Sequence, residues 1–269
     1  MNKWTKKSIK LVRSKGYLDN LMKIYPVDLT MPRKITREEQ KRIKESFKHK
    51  DKKKLISILL DLEKFPIDDP YIGFLRKSRE ALNKNPRTVH RIGKRLLNLG
   101  LNGILSGASK PKSPSRQLGQ MFRKWLPRLG YPILSKEDFL KYKGIAILKG
   151  GDFGLKKFAK DELDYRGQKG IDIVFKVKDH FVIGEAKFIT ASGGGQDKGF
   201  REAIAFIKHK KEQASRIAIL DGVVWLVPDK IKMKKKKKLS LYESLLRLNK
   251  NQIALSVLLL KDFIKDLSR

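Results

Sequence analysis

The chain predicts an α/β fold: a helical N-terminal domain over residues 1–110, then a domain over residues 111–269 in which a central sheet is flanked by helices. Three observations carry this. Two apolar runs, Lys169-Gly170-Ile171-Asp172-Ile173-Val174-Phe175 and Phe181-Val182-Ile183-Gly184-Glu185-Ala186-Lys187-Phe188, flank the polar turn Lys178-Asp179-His180, which is the pattern of a buried β-hairpin. A second apolar strand pattern runs from Arg216 to Pro228. Before residue 110 the apolar spacing is helical instead, punctuated by capping residues, Gly and Pro.

In chain order, Thr36-Arg37-Glu38-Glu39 is a capping box that opens a basic helix through Ile43 and Phe47. Leu55 to Leu62 reads as a helix stopped near Pro66, Asp68-Asp69-Pro70 as a turn, and Arg76 to Leu82 as a short helix. Asn85-Pro86-Arg87-Thr88 starts the next, which carries Val89, Ile92, Leu96 and Leu99 to a stop at Gly100. Its basic face, with Arg87, Arg91, Lys94 and Arg95, fits either a helix-turn-helix contact with DNA or a solvated scaffold surface. Gly103 through Pro114 is rich in Gly, Ser, Lys and Pro and reads as the linker.

In the second domain, Ser115 caps a helix with Leu118, Met121, Phe122, Trp125 and Leu126 on one face, ended at Pro127. After the hairpin, Gly193-Gly194-Gly195 forms a loop that carries Gln196, Asp197, Lys198 and Arg201 into a helix through Ala203, Ile204 and Phe206. Ile217–Leu220 and Val223–Val227 read as one long strand or a strand pair around Asp221-Gly222. Lys234 to Lys238 is a lysine run of solvated type. Leu241 to Leu248 is a helix, Ile253 to Leu260 a buried strand or helix that periodicity leaves open, and Asp262 to Leu267 a last short helix.

The chemistry concentrates on the hairpin. Glu185 and Lys187, two residues apart, project from one strand face, and Asp172 at the start of the facing strand meets them across the ladder. Two converging carboxylates suit Mg²⁺, which takes one or two protein oxygens and completes its shell with water and phosphate. An amphipathic hairpin with solvated charges is the alternative, and the apolar setting of Glu185 argues against it.

Gly170-Ile171-Asp172-Ile173 with Ile183-Gly184-Glu185-Ala186-Lys187-Phe188 resembles the PD-(D/E)XK nucleases, type II restriction endonucleases most of all, with Ile171 in place of the proline that names the motif. The resemblance covers about Ser115 to Val227. It implies a restriction-endonuclease-like mixed sheet, Asp172 and Glu185 as Mg²⁺ ligands, Lys187 as the catalytic lysine, and cleavage of double-stranded DNA at a short, palindromic site by a homodimer. Such families often carry a further acid on their first helix. Here that helix offers only Gln117 and Gln120, which leaves Glu162, Asp164 and Glu202 as candidates for a third carboxylate. The stretch after the active strand faces DNA in similar enzymes, so Gln196, Asp197, Lys198 and Arg201 are candidate base readers, with Arg87 and Arg91 as further DNA contacts. Asp197-Lys198 is similar in charge pattern to the cluster with which one subgroup reads sites centred on CCGG.

Composition agrees. With 63 Lys and Arg against 28 Asp and Glu, the net charge of +35 suits a polyanionic partner. The absence of cysteine excludes disulfides and thiolate metal sites, and His49, His90, His180 and His209 have no metal-ligand spacing. The longest apolar stretch is too short for a bilayer, and no signal-peptide pattern follows the basic start, so a cytoplasmic protein is expected. No P-loop, nicotinamide fingerprint or nucleophile elbow is present. Two other classes share these features: a structure-directed repair or junction nuclease, and a non-catalytic DNA-binding protein.

Overall fold

In the computed structural model, which describes residues 1–26, 32–111, 114–191, 194–208, 213–227 and 240–269, the expected hairpin lies at the middle of a mixed sheet. Among the described residues six strands pair in sequence order: β1 (Ile133–Leu134), β2 (Ile145–Leu148), β3 (Ile173–Val177), β4 (His180–Ile189), β5 (Ala214–Gly222) and β6 (Ile253–Leu255). β2, β3 and β4 are antiparallel neighbours, while β1 joins β2, β5 joins β4 and β6 joins β5 in parallel. β4 and β5 pair along their whole lengths, from Phe181 with Ala214 to Ile189 with Gly222.

Alternation sorts side chains onto two helical layers. On one face Val174, Ile183, Ala218 and Leu220 pack against α9 (Lys136–Lys141), α10 (Asp152–Leu163) and α11 (Gly194–Phe206), through Phe139, Leu155, Phe158, Phe200 and Ala203. On the other, Ile173, Phe175, Val182, Ile217 and Ile219 meet α1 (Lys3–Val12), α2 (Tyr17–Ile24), α8 (Pro114–Trp125) and α13 (Leu260–Leu267).

The chain divides into two compact units, Met1–Val27 with Ser115–Arg269, and Asp28–Pro114. This differs from a boundary near residue 110, because the first 27 residues belong with the sheet. The Thr5 hydroxyl donates to the Ala254 carbonyl at 2.8 Å, the Ser256 amide donates to Ser8 Oγ at 2.9 Å, and Trp4 meets the Phe263 ring edge-on at 5.6 Å. The helical unit has its own core, built by α3 (Arg37–Lys48), α4 (Lys52–Asp61), α5 (Ile72–Lys77), α6 (Ala81–Lys84) and α7 (Pro86–Ser109) around Ile43, Leu55, Leu59, Ile92 and Leu96. The Thr36–Glu39 capping box forms as expected.

Several elements differ from their sequence reading. Arg76 to Leu82 is no single helix; α5 and α6 are separated at Ser78–Glu80. The chain does break at Gly100 (φ 76°, ψ 163°), but helix resumes to Ser109, and burial of Ile104 and Ala108 makes residues 103–109 core and not linker. α8 begins at Pro114, so Ser115 lies inside it. Val223–Trp225 is a 3₁₀ turn: Gly222 at φ 87° redirects the chain and the Trp225 indole N–H donates back to the Leu220 carbonyl at 2.7 Å. Ile253 to Leu260 splits into β6, a 3₁₀ turn and the start of α13. Leu241–Leu246 forms helix α12, opened by a capping box at Ser240. Gly193, His209, Pro228 and the Lys234–Lys238 run lie outside the described residues.

Candidate active site

The hairpin register brings the expected residues together. Asp172 immediately precedes β3; its amide donates to the Gly184 carbonyl at 3.0 Å, and the Ala186 amide donates to its Oδ2 at 2.9 Å. The carboxylate is thereby fixed across the ladder beside Glu185. Glu185 is 1% exposed. Its Oε1 accepts from Lys169 and lies 3.3 Å from Lys187 Nζ, while its Oε2 is buried with no hydrogen-bond partner. Lys169, on the loop into β3, also reaches Glu202 Oε2 on α11 at 2.7 Å.

Opposite them, Arg123 of α8 pairs with Asp152, the first residue of α10, and stands 3.7 Å from Asp172 Oδ1. Tyr25, Arg123, Asp152, Asp172, Lys187 and Gln196 help line one cavity of about 320 Å³ at the C-terminal half of β4. Burial raises the Asp172 pKa; the Ala186 amide and Lys187 oppose this, and the negative charges of Asp152 and Glu185 add to it. For Lys169, burial disfavours the charge, but the hydrogen bonds to Glu185 and Glu202 outweigh it and leave the pKa raised. The same bond from Lys169 lowers that of Glu202.

A divalent cation fits this donor set. An orphaned buried carboxylate oxygen on Glu185 beside the Asp172 carboxylate offers hard oxygen ligands and no nitrogen or sulfur, as Mg²⁺ prefers. Among the described residues no group of three or more His, Cys, Asp or Glu is placed to hold a metal ion.

The other sequence candidates separate. Glu202 joins the site through Lys169, whereas Glu162 pairs with Lys136 at 2.6 Å and Asp164 with Arg166 at 3.1 Å. Both sit at the far end of α10, about 15 Å of helix rise from Asp152. Asp152 itself escaped the sequence reading; the signal was Gly150-Gly151-Asp152, a flexible entry that delivers an acid to a helix N-terminus. Gln196, Asp197, Lys198 and Arg201 ride on α11, which starts at Gly194, so they belong to a helix and not to a glycine loop. Gln196 Oε1 accepts from the Thr190 amide at 3.4 Å. In the helical unit Arg87 is exposed, but Arg91 is engaged by Asp69, at 2.6 and 3.1 Å, and lies over the Tyr71 ring.

A mixed sheet that sets Asp172, Ala186 and Lys187 on one cavity, with Glu185 paired to Lys187 beside it, is a candidate nuclease site. The chain matches the family model described as Tsp45I type II restriction enzyme over residues 2–267, and it belongs to that family of restriction endonucleases, site-specific deoxyribonucleases whose substrate is DNA. No curated protein and no solved structure matches it. Among the described residues no helix is long and apolar enough to cross a membrane.

Proposed function

We propose that the protein cuts both strands of double-stranded DNA at a short palindromic sequence, as a homodimer, with Mg²⁺ held by Asp172 and Glu185. The observation that supports this most is the buried, unpartnered Oε2 of Glu185 next to a pinned Asp172 carboxylate. Mg²⁺ bound there supplies positive charge to the scissile phosphate and acidifies the attacking water. Lys187, 3.3 Å from Glu185 Oε1, is held where its ammonium steadies charge that builds on the phosphate oxygens during in-line attack. Arg123 is a further phosphate-binding group at the cavity wall, restrained by Asp152 until DNA arrives. Gln196, Asp197, Lys198 and Arg201 on the first turns of α11 read base edges, and Arg87 in the helical unit adds a backbone contact. Two-fold symmetry of the dimer matches the palindrome, with one site per strand.

Digestion of plasmid DNA tests the reading. Discrete fragments are expected with Mg²⁺ and none with EDTA; fragment ends give the sequence, with sites centred on CCGG the first to examine. Asp172→Ala, Glu185→Ala and Lys187→Ala should each lower cleavage by at least about a hundredfold while gel-shift binding persists. Smeared products would replace sequence-specific with structure-directed cleavage, and full cutting by any of the three variants would remove that residue from the mechanism.

A further inference from the structure

Lys169 occupies a place in the active site that the nuclease mechanism does not use. Its ammonium bridges two carboxylates from different elements, Glu185 on β4 and Glu202 on α11, and lies 2.7 Å from the latter. A divalent ion shared by these two carboxylates would sit at the same point, since oxygen-ligated cations of this kind stand about 2.0–2.6 Å from their ligands. The bridge is built in: Glu185 is almost fully buried, its Oε1 is turned to Lys169 and Lys187, and only Oε2 is left without a partner. Glu185 therefore presents one oxygen to each side.

We propose that Lys169 is a resident cation that fills the second cation position of the site, so that each chain takes up one divalent ion and not two. The inference rests on the Mg²⁺ reading given above. Local charge supports it. Asp172, Glu185 and Glu202 are balanced against Lys169, Lys187 and one divalent ion with a single positive charge in excess, and the Arg123–Asp152 pair is neutral by itself. A second divalent ion beside Lys169 would meet like charge in a partly buried setting. Lys169 is thus a positioning residue: it holds Glu185 and Glu202 in register and limits metal occupancy.

The test counts Mn²⁺ bound to the full chain without DNA, read from the electron paramagnetic resonance signal of the free ion. One ion per chain is expected for the wild type and for Lys169→Arg, which keeps the charge. Two are expected for Lys169→Gln, and one again when Glu202→Gln is added to it. Lys169 stands on a loop with about a third of its side chain exposed, so these variants retain the fold, which circular dichroism verifies. Two ions on the wild type, or one on a folded Lys169→Gln protein, would overturn the inference and leave Asp172 and Glu185 as ligands. No bound ion on the wild type would remove the inference and the Mg²⁺ reading together. Where Lys169→Gln fails to fold, Lys169→Met carries the same test: two ions support the inference and one overturns it.

Discussion

Asp172, Glu185 and Lys187 were legible because a strand with two-residue periodicity leaves little choice about which side chains share a face, and charges inside an apolar strand are costly unless used. Asp152, Arg123 and Lys169 were not legible. Asp152 and Arg123 reach the cavity from a helix start and a second helix, Lys169 reaches Glu185 from a loop, and only the tertiary fold brings these to the hairpin. Arg91 shows the converse: it looked like a surface cation and is committed to Asp69, whose pKa it lowers by hydrogen bonding. Base reading belongs to this scale. Asp197→Ala or Lys198→Ala should erode discrimination between the cognate site and its single-base variants by about 1–3 kcal/mol per contact. Competition binding over the variant series measures it; an unchanged ranking of sites would move recognition away from α11 and toward the unit that carries Arg87.

At the level of elements, strand β5 was half legible. Ile217–Leu220 alternates and pairs as expected, but the equally apolar Val223–Val227 turns away, and local pattern cannot separate the two. Gly222 decides it. A Cβ there would stand 2.1 Å from the Ile189 carbonyl oxygen, so this positive-φ glycine lets β5 finish against β4 and turn. Just before it, Asp221 is fully buried and accepts from Ser256 Oγ at 2.6 Å, the Val257 amide at 3.3 Å, and the Tyr17 and Tyr25 hydroxyls at 3.3 and 3.4 Å. Burial pushes its pKa up to about 7, against the hydrogen bonds that favour the ionised form. Because the folded value exceeds the unfolded one, the stabilising contribution is complete below about pH 4 and is lost as pH rises toward about 7. Asp221→Asn keeps a neutral hydrogen-bonding group, so its stability should lack this slope. Urea unfolding at about pH 5 and about pH 8 should show the wild type losing ground to the variant by a few kcal/mol, at about 1.4 kcal/mol per pKa unit. Parallel curves for the two proteins would show that Asp221 titrates normally.

For the whole molecule, a net charge of +35 makes non-specific association with DNA an electrostatic matter. Affinity for non-cognate DNA should fall steeply and linearly in log–log form with salt, whereas cognate binding, which adds base contacts, should fall less. A non-cognate affinity that stays flat from low to physiological salt would contradict this role. The fold class was readable at this scale from one hairpin and a run of helical spacing. The division into units was not, since α1 and α2 carry no mark in their own sequence that their partners lie more than two hundred residues onward.

That pairing orders events on the ribosome. Asn2 bonds to the Lys250 carbonyl, Lys3 pairs with Asp266, and Tyr17 and Tyr25 share Asp221 with Ser256, so α1 and α2 wait for residues made about two hundred or more positions later. At about 5–20 residues per second the wait is on the order of 10–50 s. The stretch from Asp28 to Pro114 has its core partners within itself and can fold while synthesis proceeds. Tyr25, a wall of the candidate cavity, gains its Asp221 partner only once β5 has been made, so a nascent chain that has not reached β5 lacks this part of the cavity wall.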